Sequence, residues 1–354
     1  MGADACPGVL DTHAAADGPL ARVRLPGGLL SASALVALGA LALRCADGAL
    51  ELTSRANVQL RGVRDPAGLA DGLHAAGLLP SGAHDRARNL GLSPLTGLDG
   101  GLDARPVLRA LDAALLADPA LAELPGRFVL GVDDGSGLPG TADVALRASG
   151  AGWRLLIDRS DCGAGDITAV LEAARAFLRL RGGDATVWRV RDLRGGPVGT
   201  AGLAAALDRV PGERMPAIRE RLPLGPRGSR VLVAAAWLQR LTAEQVAALG
   251  DALAPGEDVR LAPAGRLVVP LRSPGAVEAL AGAGLVVAAG DARGQVTACS
   301  GLGACARAEV DVRALAEDLV RRSAGRAASP APQHLVACRR QCGLPADAEA
   351  VVCS

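Results

Sequence analysis

The chain has no lysine and no tyrosine, and its 354 residues include only two phenylalanines and three tryptophans. So few aromatic rings argue against a surface on which the bases of single-stranded nucleic acid stack. All 38 basic residues are therefore arginines, and with 37 acidic residues they give a net charge of +1. This charge provides no general attraction to polyanions, so we expect no nucleic-acid partner.

Long apolar runs are also missing. The longest candidate, residues 29–43, is interrupted by Ser31, Ser33 and Gly39 and falls short of the about 18 apolar residues of a membrane-spanning helix. The first thirteen residues lack the basic start and apolar core of a secretion signal. Eight cysteines without such a signal indicate the reducing cytosol, where thiols more often bind metals or act in catalysis than form disulfides. The sequence thus predicts a soluble cytoplasmic protein with no membrane partner.

An internal repeat organises the chain, of which half the residues are hydrophobic. A strand, a helix, a second strand and a second helix near residues 20–80 recur in the same order near residues 230–290. Pro66 and Pro274 open the second helix of each copy, as proline does in a first helical turn. Units of this size are marginal alone, so we expect the two copies to pack against each other.

The repeats and the segments around them predict an α+β fold with four parts. These are a first ferredoxin-like repeat at 1–80, an α/β lobe at 81–205, a second ferredoxin-like repeat at 206–290 and a cysteine-rich region at 291–354. Within the first lobe, the pattern of apolar residues predicts a β-meander between 127 and 157 and a helix over 167–180.

Four cysteines form the clearest chemical motif. Two pairs, Cys-x5-Cys and Cys-x3-Cys, are separated by 32 residues and consist of Cys299, Cys305, Cys338 and Cys342. Four thiolates can hold a [4Fe–4S] cluster, with one sulfur for each iron. A zinc site, which prefers two to four residues between paired cysteines, and a set of unrelated buried thiols are the alternatives. The other cysteines are expected to be packing residues: Cys6, Cys45, Cys162 and Cys353.

The segment 52–61 alternates apolar and polar residues and predicts one continuous strand. Its polar face carries two arginines and two amides with no acid among them, namely Arg55, Asn57, Gln59 and Arg61. Such donors suit a polycarboxylate, although an ordinary solvated face is the alternative. The matching strand of the second repeat keeps only Arg266 of this row, which favours a single ligand site.

These motifs, together with Cys-Pro-Gly at 6–8, Arg88-Asn89 and Leu-Pro-Gly-Arg-Phe at 124–128, carry a resemblance. The chain resembles the siroheme and iron–sulfur nitrite/sulfite reductase superfamily, and within it the precorrin-3B synthase family of aerobic cobalamin biosynthesis. The resemblance implies two pseudo-symmetric ferredoxin-like half-domains and two α/β lobes, the last of which carries the [4Fe–4S] motif.

For the site, the resemblance implies that seven polar residues line a tetrapyrrole pocket: Arg55, Asn57, Gln59, Arg61, Arg88, Asn89 and Arg127. The four paired cysteines would bind the [4Fe–4S] cluster, beside either a mononuclear iron or siroheme. Apart from the resemblance, any of the four histidines could bind a mononuclear iron, although a surface or packing role is the more common one. His334, four residues before Cys338, is the one to test, and no residue is assigned as catalytic. Val129 stands where the reductases place a second basic residue, which favours oxidation of the macrocycle over reduction of a bound anion.

The implied activity is that of a monooxygenase that hydroxylates precorrin-3A with O2 and forms a γ-lactone. Electrons would come from an external donor, either a ferredoxin or an NAD(P)H-dependent reductase. The Gly-x-Gly-x-x-Gly run at 135–140 lies in a predicted turn between strands and opens no helix, so a built-in dinucleotide site is not supported. Two alternatives are a siroheme-dependent nitrite or sulfite reductase and a non-catalytic tetrapyrrole-binding protein.

Overall fold

The computed structural model describes residues 6–98, 100–137, 142–150, 152–194, 197–217, 220–323 and 331–353. The chain divides into two compact units. The first unit comprises Met1–Asp11, Arg24–Gly28 and Leu79–Ile218, and the second comprises Thr12–Val23, Leu29–Leu78 and Arg219–Ser354. None of the described helices combines the length and apolar character needed to cross a bilayer. The predicted boundaries near residues 80, 205 and 290 stay predictions.

The described residues form eight α-helices and eighteen β-strands. The helices are α1 (Ala32–Cys45), α2 (Pro66–Ala75), α3 (Arg105–Leu116), α4 (Ile167–Arg181), α5 (Pro197–Ala205), α6 (Ala243–Ala252), α7 (Ala276–Gly282) and α8 (Val312–Ser323). The first ten strands are β1 (His13–Ala15), β2 (Gly18–Val23), β3 (Leu29–Ser31), β4 (Leu50–Leu52), β5 (Val58–Leu60), β6 (Leu90–Leu92), β7 (Leu130–Asp133), β8 (Val144–Ser149), β9 (Gly152–Ile157) and β10 (Ser160–Ala164). The others are β11 (Gly225–Arg227), β12 (Val231–Ala235), β13 (Arg240–Leu241), β14 (Asp258–Ala262), β15 (Arg266–Pro270), β16 (Val296–Ala298), β17 (Gln333–Val336) and β18 (Glu349–Val352).

The two repeats of the second unit exchange strands. One sheet has the order β1-β2-β5-β4-β13 and the other the order β11-β12-β15-β14-β3, so each repeat lends the strand before its first helix to the sheet of the other. The first helices, α1 and α6, also pack together, and a side chain at Gly39 would lie 2.8 Å from Val246 Cγ1. The expectation that the repeats pack against each other is therefore confirmed.

Local signals start the helices of both repeats in similar ways. Ser31 accepts a hydrogen bond from the Ala34 amide at the start of α1, and Thr242 forms a capping box with Gln245 at the start of α6. Asp65 caps α2 just before Pro66. These side chains satisfy amide groups that a helix leaves unpaired in its first turn.

The segment predicted as one strand over 52–61 is a hairpin, so that prediction is wrong. β4 pairs antiparallel with β5, and residues 53–57 turn between them. The turn closes because Thr53 Oγ1 accepts the Asn57 amide at 3.0 Å and the Thr53 amide donates to Asn57 O at 2.9 Å. Ala56 takes a left-handed φ of 56° in this turn, where glycine is the more usual residue.

The sheet of the first unit has the order β10-β9-β8-β7-β6. Strands β6, β7 and β8 are parallel, whereas β8, β9 and β10 are antiparallel, so the predicted meander is wrong for β7 and β8. The predicted helix is present as α4. Phe128, next to β7, packs on Phe177 of α4 with ring centroids 4.4 Å apart, and this contact joins the sheet to its helix layer.

The cysteine-rich region contains a small parallel sheet of order β16-β17-β18. Helix α8 packs on it through Val312 and Ala316, which share a buried cluster with Val296 and Leu335. The described residues of the second unit form three sheets, and those of the first unit form one. Together with the helices, these sheets give the mixed α+β architecture that the sequence predicts.

Candidate functional site

The parallel pairing of β16 with β17 brings the two cysteine pairs together. Ala298 lies beside Leu335 in the register, so both strands end at the same edge of the sheet. Cys299 directly follows β16, and Cys338 lies two residues after the end of β17. The loops beyond them carry the other two cysteines, and all four line one cavity of about 280 Å³. The convergence of the two pairs is thus a property of the structure, as the spacing predicts.

The loop between the first two cysteines is shaped by glycine. Gly301 and Gly303 have φ values of 72° and 82°, a left-handed conformation that disfavours other residues. At Gly301 an added Cβ would also lie 2.9 Å from Val312 Cγ2. The tight loop lets the Cys305 amide donate to Gly301 O at 3.0 Å, while the Ala337 amide donates to Cys299 Sγ at 3.5 Å.

The thiols of this cavity lie close enough for the charge of one to shift the pKa of another. Burial raises the pKa of Cys342, and the charges of Cys338, Cys299 and Cys305 raise it further, whereas Arg340 opposes these effects. A cation between the sulfurs would relieve this repulsion, because thiolates are the form that binds metal. Four thiols around one cavity fit the demand of a [4Fe–4S] cluster for one thiolate per iron. Among the described residues, no three His, Cys, Asp or Glu side chains are grouped closely enough to hold a single metal ion.

A second, polar cavity of about 200 Å³ adjoins the first and shares Cys299, Ser300 and Cys342 with it. Its wall includes polar side chains from both repeats and from α8: Arg22, Glu51, Thr53, Ser54, Gln59, Gln239 and Arg313. A ligand in the polar cavity would therefore lie next to a metal centre bound by the four cysteines.

Glu51 organises the wall of the polar cavity. Its carboxylate accepts Gln59 Nε2 at 2.7 Å and Arg313 Nη2 at 2.7 Å, and Arg22 Nη2 donates to Gln59 Oε1 at 3.1 Å. The interpretation of this face as free of acids is wrong, because the predicted strand began one residue after Glu51. Starting the alternation at Leu50 would have placed Glu51 on the same face as Gln59.

Arg61 holds an internal carboxylate. Its Nε and Nη2 donate to the two oxygens of Asp17 at 2.6 and 2.9 Å, and its Nη1 donates to Ser300 Oγ at 3.3 Å. Nη2 also donates to the carbonyl of Ala304. Arg61 therefore fastens the loop between Cys299 and Cys305 to the first repeat, and a contact with substrate stays a prediction for it.

We expect Arg61→Met to loosen this cysteine loop. Removing one partner of a fully buried ion pair costs about 3–5 kcal/mol, and the partial exposure of Asp17 reduces the expected loss of unfolding free energy to about 2 kcal/mol. Iron and acid-labile sulfide per chain should fall with it. Arg64→Met is the matched control, because Arg64 lies in the same segment but is exposed, and its side chain bonds only Leu43 O among the described residues. Equal iron contents in the two variants would contradict this role.

The remaining residues predicted in 52–61 differ in exposure. Asn57 is buried, Gln59 lies in the polar cavity, and Arg55 is half-buried in the turn between β4 and β5. Arg266, the remnant of the donor row in the second repeat, donates instead to the carbonyls of Leu222 and Gly294. Burial, followed by the charge of Arg221, lowers its pKa to about 10.

Three predicted site residues belong to the first unit, and each has a partner there. Arg88 donates from Nε and Nη2 to both oxygens of Asp112 at 2.7 and 2.6 Å. Asn89 Nδ2 donates to Phe128 O at 3.2 Å. The Arg127 guanidinium stacks 4.1 Å above the ring centre of Trp188. These contacts fix their side chains, and their role toward a substrate stays a prediction.

His334 is fully buried and uses both ring nitrogens within the protein. Nε2 donates to Cys342 O at 3.0 Å, so Nδ1 accepts from Thr297 Oγ1 at 2.8 Å. Burial lowers its pKa, which keeps the ring neutral. In this arrangement His334 positions the loop that carries Cys342, so the structure does not support His334 as an iron ligand.

Asp347 ties the segment between Cys342 and β18 to Arg221. Its oxygens accept Arg221 Nε at 2.6 Å and Nη2 at 2.9 Å. Burial alone would raise the pKa of Asp347, but the Arg221 guanidinium outweighs it and holds the pKa below its usual value. The stability that this carboxylate contributes is therefore present above its ordinary pKa and is lost as the pH falls through the lower folded pKa.

We expect acid to weaken the protein more than it weakens an Asp347→Asn variant. Between pH 5 and pH 3, the difference in unfolding free energy between the wild type and Asp347→Asn should narrow. Protonation of Asp347 removes from the wild type the negative charge that the asparagine variant already lacks. Urea unfolding at several pH values measures this difference. A difference that stays constant down to pH 3 would show that Asp347 does not contribute through its charge.

Comparisons with known proteins find relatives that are similar in sequence. The family model for the nitrite/sulfite reductase ferredoxin-like half domain matches residues 13–67. A precorrin-3B synthase from Sinorhizobium sp is 27% identical over 367 residues, which cover 98% of this chain and 79% of that protein. A ferredoxin–nitrite reductase from Synechococcus elongatus is 35% identical over 127 residues, which cover 33% of this chain and 25% of that protein.

A solved structure shares the fold. Mycobacterium tuberculosis NirA matches with a TM-score of 0.69 and 21% identity, over 92% of this chain and 69% of NirA. The matched half domain, residues 13–67, contains β1 to β5. It is linked to the second repeat by strand exchange, because β3 joins the sheet of the second repeat and β13 joins the sheet of the first. The reductase-like α+β fold class is therefore confirmed. The chain is thus similar to the nitrite/sulfite reductases in the half domain at residues 13–67 and in its fold.

Proposed function

We propose that this protein is a precorrin-3B synthase-like monooxygenase. It would hold a [4Fe–4S] cluster on Cys299, Cys305, Cys338 and Cys342 and bind precorrin-3A in the adjoining polar cavity. The observation that carries the proposal is the sharing of Cys299, Ser300 and Cys342 between the two cavities, because a substrate in one would then lie next to a redox group in the other.

The polar cavity suits the rim of a modified tetrapyrrole, which bears acetate and propionate carboxylates. Arg22 and Arg313 offer guanidinium groups, which remain charged at physiological pH and can bind carboxylates through two hydrogen bonds. Thr53 and Ser54 add hydroxyl donors at the hairpin turn. Glu51 holds Gln59 and Arg313 in place, so these donors would need little reordering when a ligand binds.

The reaction that fits best is hydroxylation of the macrocycle, in which one atom of O2 enters precorrin-3A and the other leaves as water. A ring acetate would then close a γ-lactone. When bound, a [4Fe–4S] cluster supplies single electrons to the neighbouring cavity. Val129, which replaces a second basic residue, removes a cation that would serve reduction of a bound nitrite or sulfite. A second iron centre, either mononuclear or in siroheme, completes the proposal, and its ligands are not assigned.

The electrons would come from an external ferredoxin or an NAD(P)H-dependent reductase in the cytoplasm. Arg307, Arg339 and Arg340 are exposed beside the paired cysteines, and Cys342 is itself exposed. Such a cationic margin around the cysteine cavity suits an acidic electron carrier, whose association would be favoured at low ionic strength.

Anaerobic purification followed by iron and sulfide counts and an optical spectrum tests the cofactors. Incubation with precorrin-3A, O2 and a reduced donor then tests the reaction, and we expect a product that has gained one oxygen atom. Intense porphyrin-type absorption with reduction of nitrite or sulfite would favour a siroheme-dependent reductase instead. A full cluster without product would indicate a tetrapyrrole-binding protein that is not a catalyst.

A further inference from the structure

The Cys-Pro-Gly segment at the start of the described chain lies outside the two cavities. Cys6 is buried in the first unit, where Arg24 Nη2 donates to its sulfur at 3.3 Å. The same nitrogen approaches two carbonyls, Pro7 O at 3.4 Å and Gly126 O at 3.3 Å. The proposed monooxygenase reaction makes no use of this thiol.

Arg24 is a buried cation with no carboxylate at ion-pair distance among the described residues, although its charge does act on the nearby Asp85. Arg24 is only 3% exposed, and its Nε and Nη1 are buried with no hydrogen-bond acceptor in the part of the chain that the structure describes. A buried guanidinium is costly unless negative charge or further acceptors lie beside it. Of the groups that accept a hydrogen bond from Arg24, the two carbonyls are neutral, so Cys6 is the one that can become an anion.

The carboxylate of Asp85, which lies near this thiol, is already hydrogen-bonded to backbone amides. Asp85 accepts the amides of Val9 and Leu10 at 2.6 and 2.9 Å, which folds the segment after Cys6 onto it. Burial raises the pKa of Asp85, and these two amides, Arg24 and Arg86 partly oppose the rise. Because Asp85 is bound to backbone amides, the thiol is left as the direct neighbour of the Arg24 guanidinium.

Two glycines make room for this arrangement. A side chain at Gly126 would lie 3.1 Å from both Arg24 Nη2 and Cys6 Cβ. A side chain at Gly8 would collide with the Asp85 carboxylate. Three separated segments, at 6–8, 24 and 126, therefore converge on one sulfur. This convergence distinguishes Cys6 from Cys45 and Cys162, which are buried without a guanidinium donor to their sulfur among the described contacts.

We propose that Cys6 is a reactive thiol whose thiolate is stabilised by Arg24 and which hydrogen peroxide oxidises to a sulfenate. The sulfur attacks one peroxide oxygen, the S–O bond forms, and the O–O bond breaks. The leaving hydroxide takes the proton of the hydroxyl group transferred to sulfur and becomes water, which leaves the sulfenate; the sulfur loses two electrons and the peroxide gains them. The new oxygen supplies an acceptor beside a guanidinium whose Nε and Nη1 have none among the described residues. This modification site is independent of the cluster and of the proposed reaction.

The pH dependence of alkylation tests the thiolate. Full-length protein is treated briefly with iodoacetamide between pH 6 and pH 9, and the labelling of each cysteine is measured by peptide mass spectrometry. A thiolate held by Arg24 should label Cys6 at a rate already near its maximum at pH 7, whereas an ordinary thiol rises about tenfold per pH unit below its pKa. Cys45 and Cys162 are internal controls and should react at least about tenfold more slowly at pH 7. A Cys6 profile that parallels theirs would overturn the proposal.

Variants at Arg24 separate charge from burial. Arg24→Lys keeps the positive charge and should keep the early plateau, whereas Arg24→Gln should shift the profile of Cys6 to higher pH. Circular dichroism confirms that each variant is folded. The same plateau in Arg24→Gln would show that the cation is not responsible and would overturn the proposal.

Oxidation is tested on the wild type directly. After dilute hydrogen peroxide, the sulfenate reagent dimedone should label Cys6 before Cys45 or Cys162, and Cys6→Ser should remove that peptide's signal. Absence of a dimedone adduct at Cys6 while the thiol remains free would overturn the oxidation step.

Discussion

Replacing Cys338 by serine is expected to remove nearly all iron and acid-labile sulfide from the protein. Each iron of a [4Fe–4S] cluster takes one thiolate, and a serine hydroxyl is a much poorer ligand at neutral pH. Cys338 lies at the edge of the β16–β17 sheet and lines the cavity together with the other three cysteines. The described residues that line this cavity include no fifth thiol that could replace it. The visible absorption of anaerobically purified protein should disappear together with the iron.

Cys353→Ser is the matched control for this substitution. Cys353 directly follows β18 and its amide donates to Val336 O at 2.9 Å, so it lies at the end of the same small sheet. It is not among the residues that line the four-cysteine cavity. We expect iron and sulfide at the wild-type level in this variant. Equal losses in Cys338→Ser and Cys353→Ser would show that the effect comes from the sheet and not from cluster ligation.

Asp143→Ala is expected to cost about 3–5 kcal/mol of unfolding free energy, because it removes the carboxylate that balances the buried charge of Arg189. Arg189 Nε donates to Asp143 Oδ2 at 2.6 Å, and the two side chains are only 7% and 3% exposed. The same carboxylate accepts the amides of Val129 and Val190, each at 2.9 Å. Since proteins of this kind are stable by about 5–15 kcal/mol in total, such a loss threatens the fold of the first unit.

Urea unfolding measures this loss, with Asp184→Ala as the control. Asp184 is exposed in the same unit, and its carboxylate accepts hydrogen bonds only from Thr186 among the described residues, so its replacement should change stability by less than about 0.5 kcal/mol. Because Asp143 also fixes the Val129 amide, the variant should disturb the segment that carries Arg127. A loss no larger than that of Asp184→Ala would contradict a central role for the buried pair.

Local sequence signals predicted much of the fold. The repeat pattern gave the order of strands and helices in both half-domains, and the spacing of the cysteines indicated that the pairs meet. Helix α4 follows from its apolar stripe, and its predicted and observed bounds differ by one residue at the end. These features depend on residues that are close in sequence, or on a motif whose chemistry demands that its members converge.

The features that sequence analysis missed depend on distant or unusual partners. The turn at 53–57 contains neither glycine nor proline. Ala56 adopts a left-handed conformation there, which its residue type does not predict. Arg61 bonds to Asp17, 44 residues away in the sequence, and Arg88 bonds to Asp112, 24 residues away. Alternation along one strand cannot reveal such carboxylates, so both arginines were predicted as donors open to a ligand.

The strand exchange between the repeats has a consequence for how the protein can be divided. A fragment with only the first repeat would expose the edge of β4 that β13 normally covers, and its own β3 would have no β14 beside it. Since β4 and β14 hold equivalent places in the two sheets, two copies of that fragment could swap β3 strands and restore both edges. The half-domain is therefore expected to exist as a symmetric homodimer when it is expressed alone, so the single chain joins covalently what two shorter chains would have to assemble.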